Sequence, residues 1–118
     1  MPVDRGQMVR LFQNLVGNAL KYRKPDQRPQ VHISAEQQRA EWVFSVRDNG
    51  IGFDPEHAST IFTPFKRLHT AEEYPGTGIG LAICKRIVQA QGGRLWAESQ
   101  EGEGATFFFT LPALSREP

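Results

Sequence analysis

The sequence predicts an α+β fold, a two-layer α/β sandwich with three helices packed on one face of a mixed, mostly antiparallel sheet. Three observations predict it. Apolar residues recur at helical spacing near residues 8–20 and again near 79–90, alternating segments come in two pairs, and the order helix, two strands, helix, loop, helix, two strands leaves the helices to share one sheet face.

The first helix rests on Met8, Leu11, Phe12, Leu15, Val16, Ala19 and Leu20, spaced i, i+3, i+4, i+7, i+8, i+11, i+12. Asp4 is placed to cap it, and Lys24-Pro25-Asp26 stops it, because the residue before a proline is pushed out of the α region. Val31, Ile33 and Ala35 then alternate with His32 and Ser34, and Trp42, Phe44 and Val46 with Val43, Ser45 and Arg47. These are two paired strands joined by the polar loop Glu36 to Arg39. Asp48-Asn49-Gly50-Ile51-Gly52 is a turn, and Asp54-Pro55 opens a short second helix. Residues 66–76 carry charge, Pro75 and Gly76 without periodicity, and read as a mobile loop. Ile79, Ala82, Ile83, Ile87 and Ala90 mark the third helix, ended by Gly92-Gly93. Two strands near Arg94–Ser99 and Ala105–Leu111 flank the turn Glu101-Gly102-Glu103-Gly104.

At 118 residues, without an internal repeat or a linker, the chain is one domain with one core. Fourteen Lys and Arg against thirteen Asp and Glu give a net charge of +1, not the basic excess that nucleic-acid binding leaves in a composition. The longest apolar run, Leu81 to Cys84, is far short of the roughly 20 residues that span a bilayer, and no charged-then-apolar signal pattern opens the chain. It reads as cytoplasmic, without membrane contact. The single cysteine, Cys84, lies on the third helix's apolar face and reads as core.

In YPGTGIGLAI, residues 74–83, glycine occupies every second position from Gly76 to Gly80. A Rossmann fingerprint needs G-x-G-x-x-G directly after a strand, and a Walker loop needs Gly-Lys followed by Ser or Thr; neither is present. What remains is either a loop that merely joins elements or a helix start whose free N–H groups suit a phosphate. The first helix bears on the choice. At about 100° per residue, Asn14, Asn18 and Lys21 fall within roughly 60° of one another, beside the apolar face rather than opposite it. Asparagine in a helix interior costs about half a kcal/mol relative to Ala, so two of them one turn apart call for a reason. Amide oxygens are acceptable to Mg²⁺, and an ammonium suits phosphate.

With FQNLVGNALKY, RDNGIGFD, IFTPFKRL and PGTGIGLAI in this order, closed by GEGATFFFTLP, the chain resembles the ATP-binding catalytic domain of sensor histidine kinases, the phytochrome-like group especially. These segments look like the N, G1, F and G2 boxes and cover nearly the whole chain. The resemblance implies the Bergerat fold, shared with gyrase and mismatch-repair ATPases, in which the last glycine box closes over the phosphates of ATP. It makes Asn18 the Mg²⁺ ligand and sets Asn14 where the gyrase-like ATPases usually carry a glutamate base. Lys21 then reaches the phosphates, and Tyr22 stacks near adenine. Asp48 accepts a hydrogen bond from the adenine amino group, although alone Asp48-Asn49-Gly50 would read as a turn. Gly50 belongs to the same box, Gly52 lets the base approach the backbone, and Thr106 sits near the adenine water network. Phe62 and Phe65, core residues on their own terms, anchor the base of the lid over ATP, with Arg67 and Lys66 facing phosphate. Gly76, Thr77, Gly78, Ile79, Gly80 and Leu81 wrap the phosphates. Trp42 and Trp96 are assigned to packing.

Partners implied by the resemblance are a histidine-bearing dimerisation domain and, downstream, a response regulator; the isolated domain is expected to be a monomer. None of His32, His57 and His69 has the context of the family's phosphoacceptor. Residues 1–4 look like the tail of a strand that the family places before its first helix. The chain is thus expected to be a domain truncated at its N-terminus, with the dimerisation domain absent. Three activities remain in play: donation of the γ-phosphoryl to a histidine elsewhere, nucleotide-dependent regulation without transfer, and self-sufficient ATP hydrolysis of the gyrase type, which Asn14 disfavours. A serine kinase like the anti-sigma relatives of this fold is more distant.

Overall fold

The computed structural model describes residues 5–53, 55–57, 61–62, 80–100 and 102–112. The first helix, α1, spans Arg5–Lys21 and buries Leu11, Leu15 and Ala19, the middle row of the apolar stripe. The margin of the stripe behaves differently: Leu20 is 42% exposed, and Val9, outside the stripe, is 51% exposed. The cause is that, among the described residues, α1 packs through its middle row against the second helix α2 (Gly80–Ala90) and the sheet. Beside that row Met8, Val9, Phe12, Val16 and Leu20 line a groove of about 630 Å³, open among the described residues, with Met8 and Phe12 also packed against the core.

Strands β1 (Val31–Gln38) and β2 (Glu41–Asp48) form a hairpin with Gln38 opposite Glu41 and Val31 opposite Asp48. The connection is therefore Arg39-Ala40, not the four residues from Glu36 to Arg39. Arg39 takes φ 53°, the left-handed conformation that two-residue hairpin turns demand. Polar Glu36, Gln37 and Gln38 belong to β1 because it is an edge strand exposed on both faces, where polarity does not mark a loop.

Strands β3 (Leu95–Gln100) and β4 (Gly104–Pro112) complete a four-stranded sheet of order β1-β2-β4-β3 in which every pairing is antiparallel. Among the described residues there are two α-helices, and the helix expected after Asp54-Pro55 appears as a single 3₁₀ turn, Pro55–His57. The core lies between the helices and the inner sheet face: Leu11 and Leu15 of α1 and Cys84 and Val88 of α2 meet Val46, Phe107 and Phe109. Phe44 stacks on Phe109 at 4.8 Å, Phe12 stands edge-on to both, and Phe62 stands edge-on to Phe107 at 6.1 Å. Phe62 is thus the core residue expected. Trp96 stacks on Phe108 at 5.3 Å and Trp42 lies beside Phe44, both as packing.

α2 ends as Gly92-Gly93 predicts. The Gly93 N–H donates to the Val88 carbonyl at 2.9 Å and the Gly92 N–H to the Gln89 carbonyl at 3.0 Å, with Gly92 at φ 85°, which is a Schellman cap.

Candidate functional site

Asp48, Gly50 and Gly52, singled out in the sequence, stand where β2 ends, and Tyr22 meets the same loop through its carbonyl. Asp48 shares the helix-facing side of β2 with Val46, and one oxygen, Oδ1, accepts both the Gly50 N–H at 2.8 Å and the Ala105 N–H at 3.2 Å. Oδ2 takes no hydrogen bond among the described residues. Burial pushes this carboxyl above the ordinary carboxylate range, and the N–H groups of Gly50 and Ala105 pull it partly back. The result is a fixed carboxylate with a second oxygen left to accept a proton donor.

The loop after Asp48 is clasped from two sides. On one, the Ile51 N–H donates to the Tyr22 carbonyl at 3.0 Å, just past the end of α1, and a Cβ on Gly50 would stand 2.5 Å from the same oxygen. On the other, the Gly102 N–H reaches the Ile51 carbonyl at 2.7 Å, and the Ser99 hydroxyl accepts the Phe53 N–H and donates to the Gly104 carbonyl, both at 2.8 Å. Gly52, at φ 69°, faces the carbonyls of Gln100 and Gly104 where a Cβ would be, so the chain's own turn already requires glycine there.

On α1, Asn14, Asn18 and Lys21 are half-buried on the strip beside the core row. The Lys21 Nζ stands 5.1 Å from the centre of the Tyr22 ring, a cation–π contact that carries both toward the same end of the helix. Asn14 faces the start of α2, its Oδ1 being 4.0 Å from where a Cβ on Gly80 would stand. Its Nδ2 is buried without a hydrogen-bond partner among the described residues. Cys84 packs next to it, fully buried, and burial pushes its thiol up to about 12 against weaker pulls, the larger from its own N–H. The thiol is inert core, as expected.

Residues 3–115 match the family described as Histidine kinase-, DNA gyrase B-, and HSP90-like ATPase. The chain belongs to that family. Family relatives include cyanobacterial phytochrome A of Nostoc sp., 59% identical over 111 residues, and a sensor protein kinase WalK of Staphylococcus saprophyticus, 40% identical over 112. The matches take in 94% and 93% of this chain but only 14% and 18% of those proteins, so it spans a small part of their length. Among solved structures, the catalytic domain of the histidine kinase ThkA aligns with a TM-score of 0.76 and 32% identity over 93% of this chain and 68% of its own. Full-length ShkA in complex with AMPPNP aligns with a TM-score of 0.80 and 31% identity over 98% of this chain and 23% of its own.

Within this family frame the remaining site residues fall into three groups. Gly80 and Leu81 open α2. Lys66, Arg67, Gly76, Thr77, Gly78 and Ile79, with Phe65, lie outside the described residues. Thr106 is not brought to the site: it pairs with Arg47 and Glu98 on the sheet face opposite Asp48, because side chains alternate along β4 and Ala105 takes the inner position. The residue of β4 that donates to the Asp48 carboxylate is therefore Ala105, through its backbone. Sequence reasoning also missed Ser99, which is one polar residue in an alternating strand until register places it opposite Ala105.

No group of three or more His, Cys, Asp or Glu able to hold a metal occurs among the described residues. Asn18 offers one amide oxygen, which fits an ion that arrives with phosphate oxygens and water as its other ligands, the usual manner of Mg²⁺.

Proposed function

We propose that this domain binds Mg·ATP and donates the γ-phosphoryl to a histidine on a separate dimerisation domain, in signalling that continues to a response regulator. The observation that carries the reading is the Asp48 carboxylate, pinned through Oδ1 and, among the described residues, open at Oδ2. Such an acceptor suits the amino group of adenine and would face an oxygen in guanine, leaving buried acceptors opposed. Asn18 and Lys21 follow along α1, one for the metal and one for phosphate charge; bound Mg²⁺ would supply further neutralisation of the phosphates. Asn14 supplies no base, because an amide takes no proton from water. What is left to the chain is positioning and charge neutralisation, the usual means of phosphoryl transfer. Among the described residues no helix is long and apolar enough to cross a membrane.

Asp48→Asn tests the base-reading role. The amide oxygen keeps both backbone bonds but sets an NH₂ where Oδ2 stood, so two donors meet at adenine. ATP affinity is expected to fall about 10- to 100-fold while GTP affinity rises, read by calorimetric titration; equal ATP and GTP binding by the parent would remove the role. The fold is expected to tolerate the change. Since burial raises the folded-state pKa, the ionised carboxyl costs stability at neutral pH, a cost that lifts as pH falls through the raised value and is gone below the ordinary range. The variant should melt no lower than the parent at pH 7. It should also lack the parent's loss of ATP affinity on acidification, which sets in above the ordinary carboxylate range.

Asn18→Ala is expected to abolish most of the Mg²⁺-dependent increment in ATP affinity with little change in stability. The side chain lies off the buried row, and the bond that Asn18 makes to the Tyr22 N–H uses its backbone carbonyl. Titrations with and without Mg²⁺ decide; an unchanged increment would reassign the ligand. For the transfer step, labelled ATP mixed with this domain and a histidine-bearing dimerisation domain should yield acid-labile phosphohistidine. Its absence, with ATP bound, would favour a regulatory module.

A further inference from the structure

The geometry points to Ser99 as the positioning residue that sets purine selectivity, by holding the 51–53 loop and the β3–β4 turn together so that the Asp48 carboxylate keeps one orientation. This rests on the base-reading role proposed for Asp48.

The Ser99 hydroxyl lies on the inner face of β3, opposite Ala105. It accepts from the Phe53 N–H and donates to the Gly104 carbonyl, so donor and acceptor are both engaged, each at 2.8 Å. Those two contacts join segments 46 residues apart in sequence. Among the described residues one further hydrogen bond links them, from the Gly102 N–H to the Ile51 carbonyl. Gly104 and Ala105 are the residues that meet Asp48: a Cβ on Gly104 would run into the Asp48 carbonyl, and the Ala105 N–H donates to Oδ1. Ser99 therefore acts on Asp48 through the backbone of residues 104–105.

Of the two bonds that orient the carboxylate, the one from Ala105 is the longer, 3.2 Å against 2.8 Å from Gly50. It is the first to be lost if the turn moves. The Gly50 N–H comes from two residues along the same turn and moves with Asp48, so alone it does not fix the carboxylate relative to the sheet. The terminal torsion of an aspartate is broad. A carboxylate free to turn about it no longer holds Oδ2 toward an amino group, and discrimination between adenine and guanine narrows.

The test is calorimetric titration of the 118-residue chain with ATP and GTP, for the parent, Ser99→Ala and Ser99→Thr, with the fold followed by circular dichroism. Ser99→Ala is expected to bind ATP about tenfold more weakly and GTP unchanged, so the ATP-to-GTP ratio falls about tenfold while the Mg²⁺-dependent increment stays. Ser99→Thr, which keeps the hydroxyl, should restore the ratio. A role in stability alone would lower the melting temperature and leave the ratio intact. A folded Ser99→Ala with the parental ratio overturns the proposal, as does a Ser99→Thr that fails to restore it. Should Ser99→Ala not fold, Ser99→Cys, of nearly the same shape but a poor hydrogen-bonder, takes its place: a lowered ratio supports the proposal and a parental ratio overturns it. A parent that does not distinguish ATP from GTP overturns the Asp48 role itself and the proposal with it, a failure visible before any variant is made.

Discussion

Gly104→Ala is expected to lower the melting temperature by roughly 10 °C or more and to weaken ATP binding with it. Gly104 stands at φ 92°, where an L side chain costs about 1–3 kcal/mol in backbone strain. The added Cβ would also run into the Asp48 carbonyl and stand 3.1 Å from the Asn49 Cα. Neither neighbour is a flexible side chain. Both belong to the backbone where β2 pairs with β4, with Arg47 opposite Thr106 one step away, so relief requires the sheet to part beside Asp48. Strain and displacement together exceed about 3 kcal/mol, a large fraction of the roughly 5–15 kcal/mol that stabilises a domain. Gly102→Ala separates the two contributions. Gly102 has φ 83° but open space around the Cβ position, so it carries the strain without the collision and should cost about a third as much. Thermal melts that rank the two substitutions equally would show that the contact with Asp48 contributes nothing.

The same neighbourhood shows how far sequence carries. The helical rows, the hairpin, the cap at Gly92-Gly93 and the strip of Asn14, Asn18 and Lys21 were legible, because each depends on side-chain type at a fixed spacing. Asp48 is singled out by the resemblance alone, and its anchoring was not legible: the partners are two backbone N–H groups, and backbone donors carry no mark in a sequence. Thr106 could have been placed correctly. Phe107, Phe109 and Leu111 are the apolar row of β4, and alternation back from them puts Ala105 inside and Thr106 outside. Ser99 could not, since its meaning depends on the register between β3 and β4 and on a loop some 46 residues away. The breadth of the apolar arc on α1 misleads in the other direction, because apolar residues mark the side facing the open groove as readily as the side facing the core.

Asn14→Glu is expected to raise ATP hydrolysis by about 10²- to 10⁴-fold over a slow parent, the range that general-base catalysis contributes. The parent is expected to be slow, because an amide cannot take the proton of an attacking water, whatever positioning Asn18 and Lys21 provide. The surroundings of position 14 favour a working base. Asn14 Nδ2 is buried and unpartnered among the described residues, and the neighbouring Cys84 thiol is pushed up to about 12, so burial there works against a charged acid. The first residue of α2, Gly80, lies opposite, and a helix start favours a carboxylate. The variant's rate should climb with pH as the new carboxyl ionises, since only the carboxylate accepts the proton. Asn14→Asp, a methylene shorter, should gain less. Phosphate release at saturating Mg·ATP measures all three proteins. Brisk hydrolysis by the parent would replace phosphoryl donation with self-sufficient ATP hydrolysis as the reading of this domain. A folded, ATP-binding Asn14→Glu with no gain would mean that position 14 does not face the attacking water, and the match between Asn14 and the glutamate base of the gyrase-like enzymes would end at the sequence.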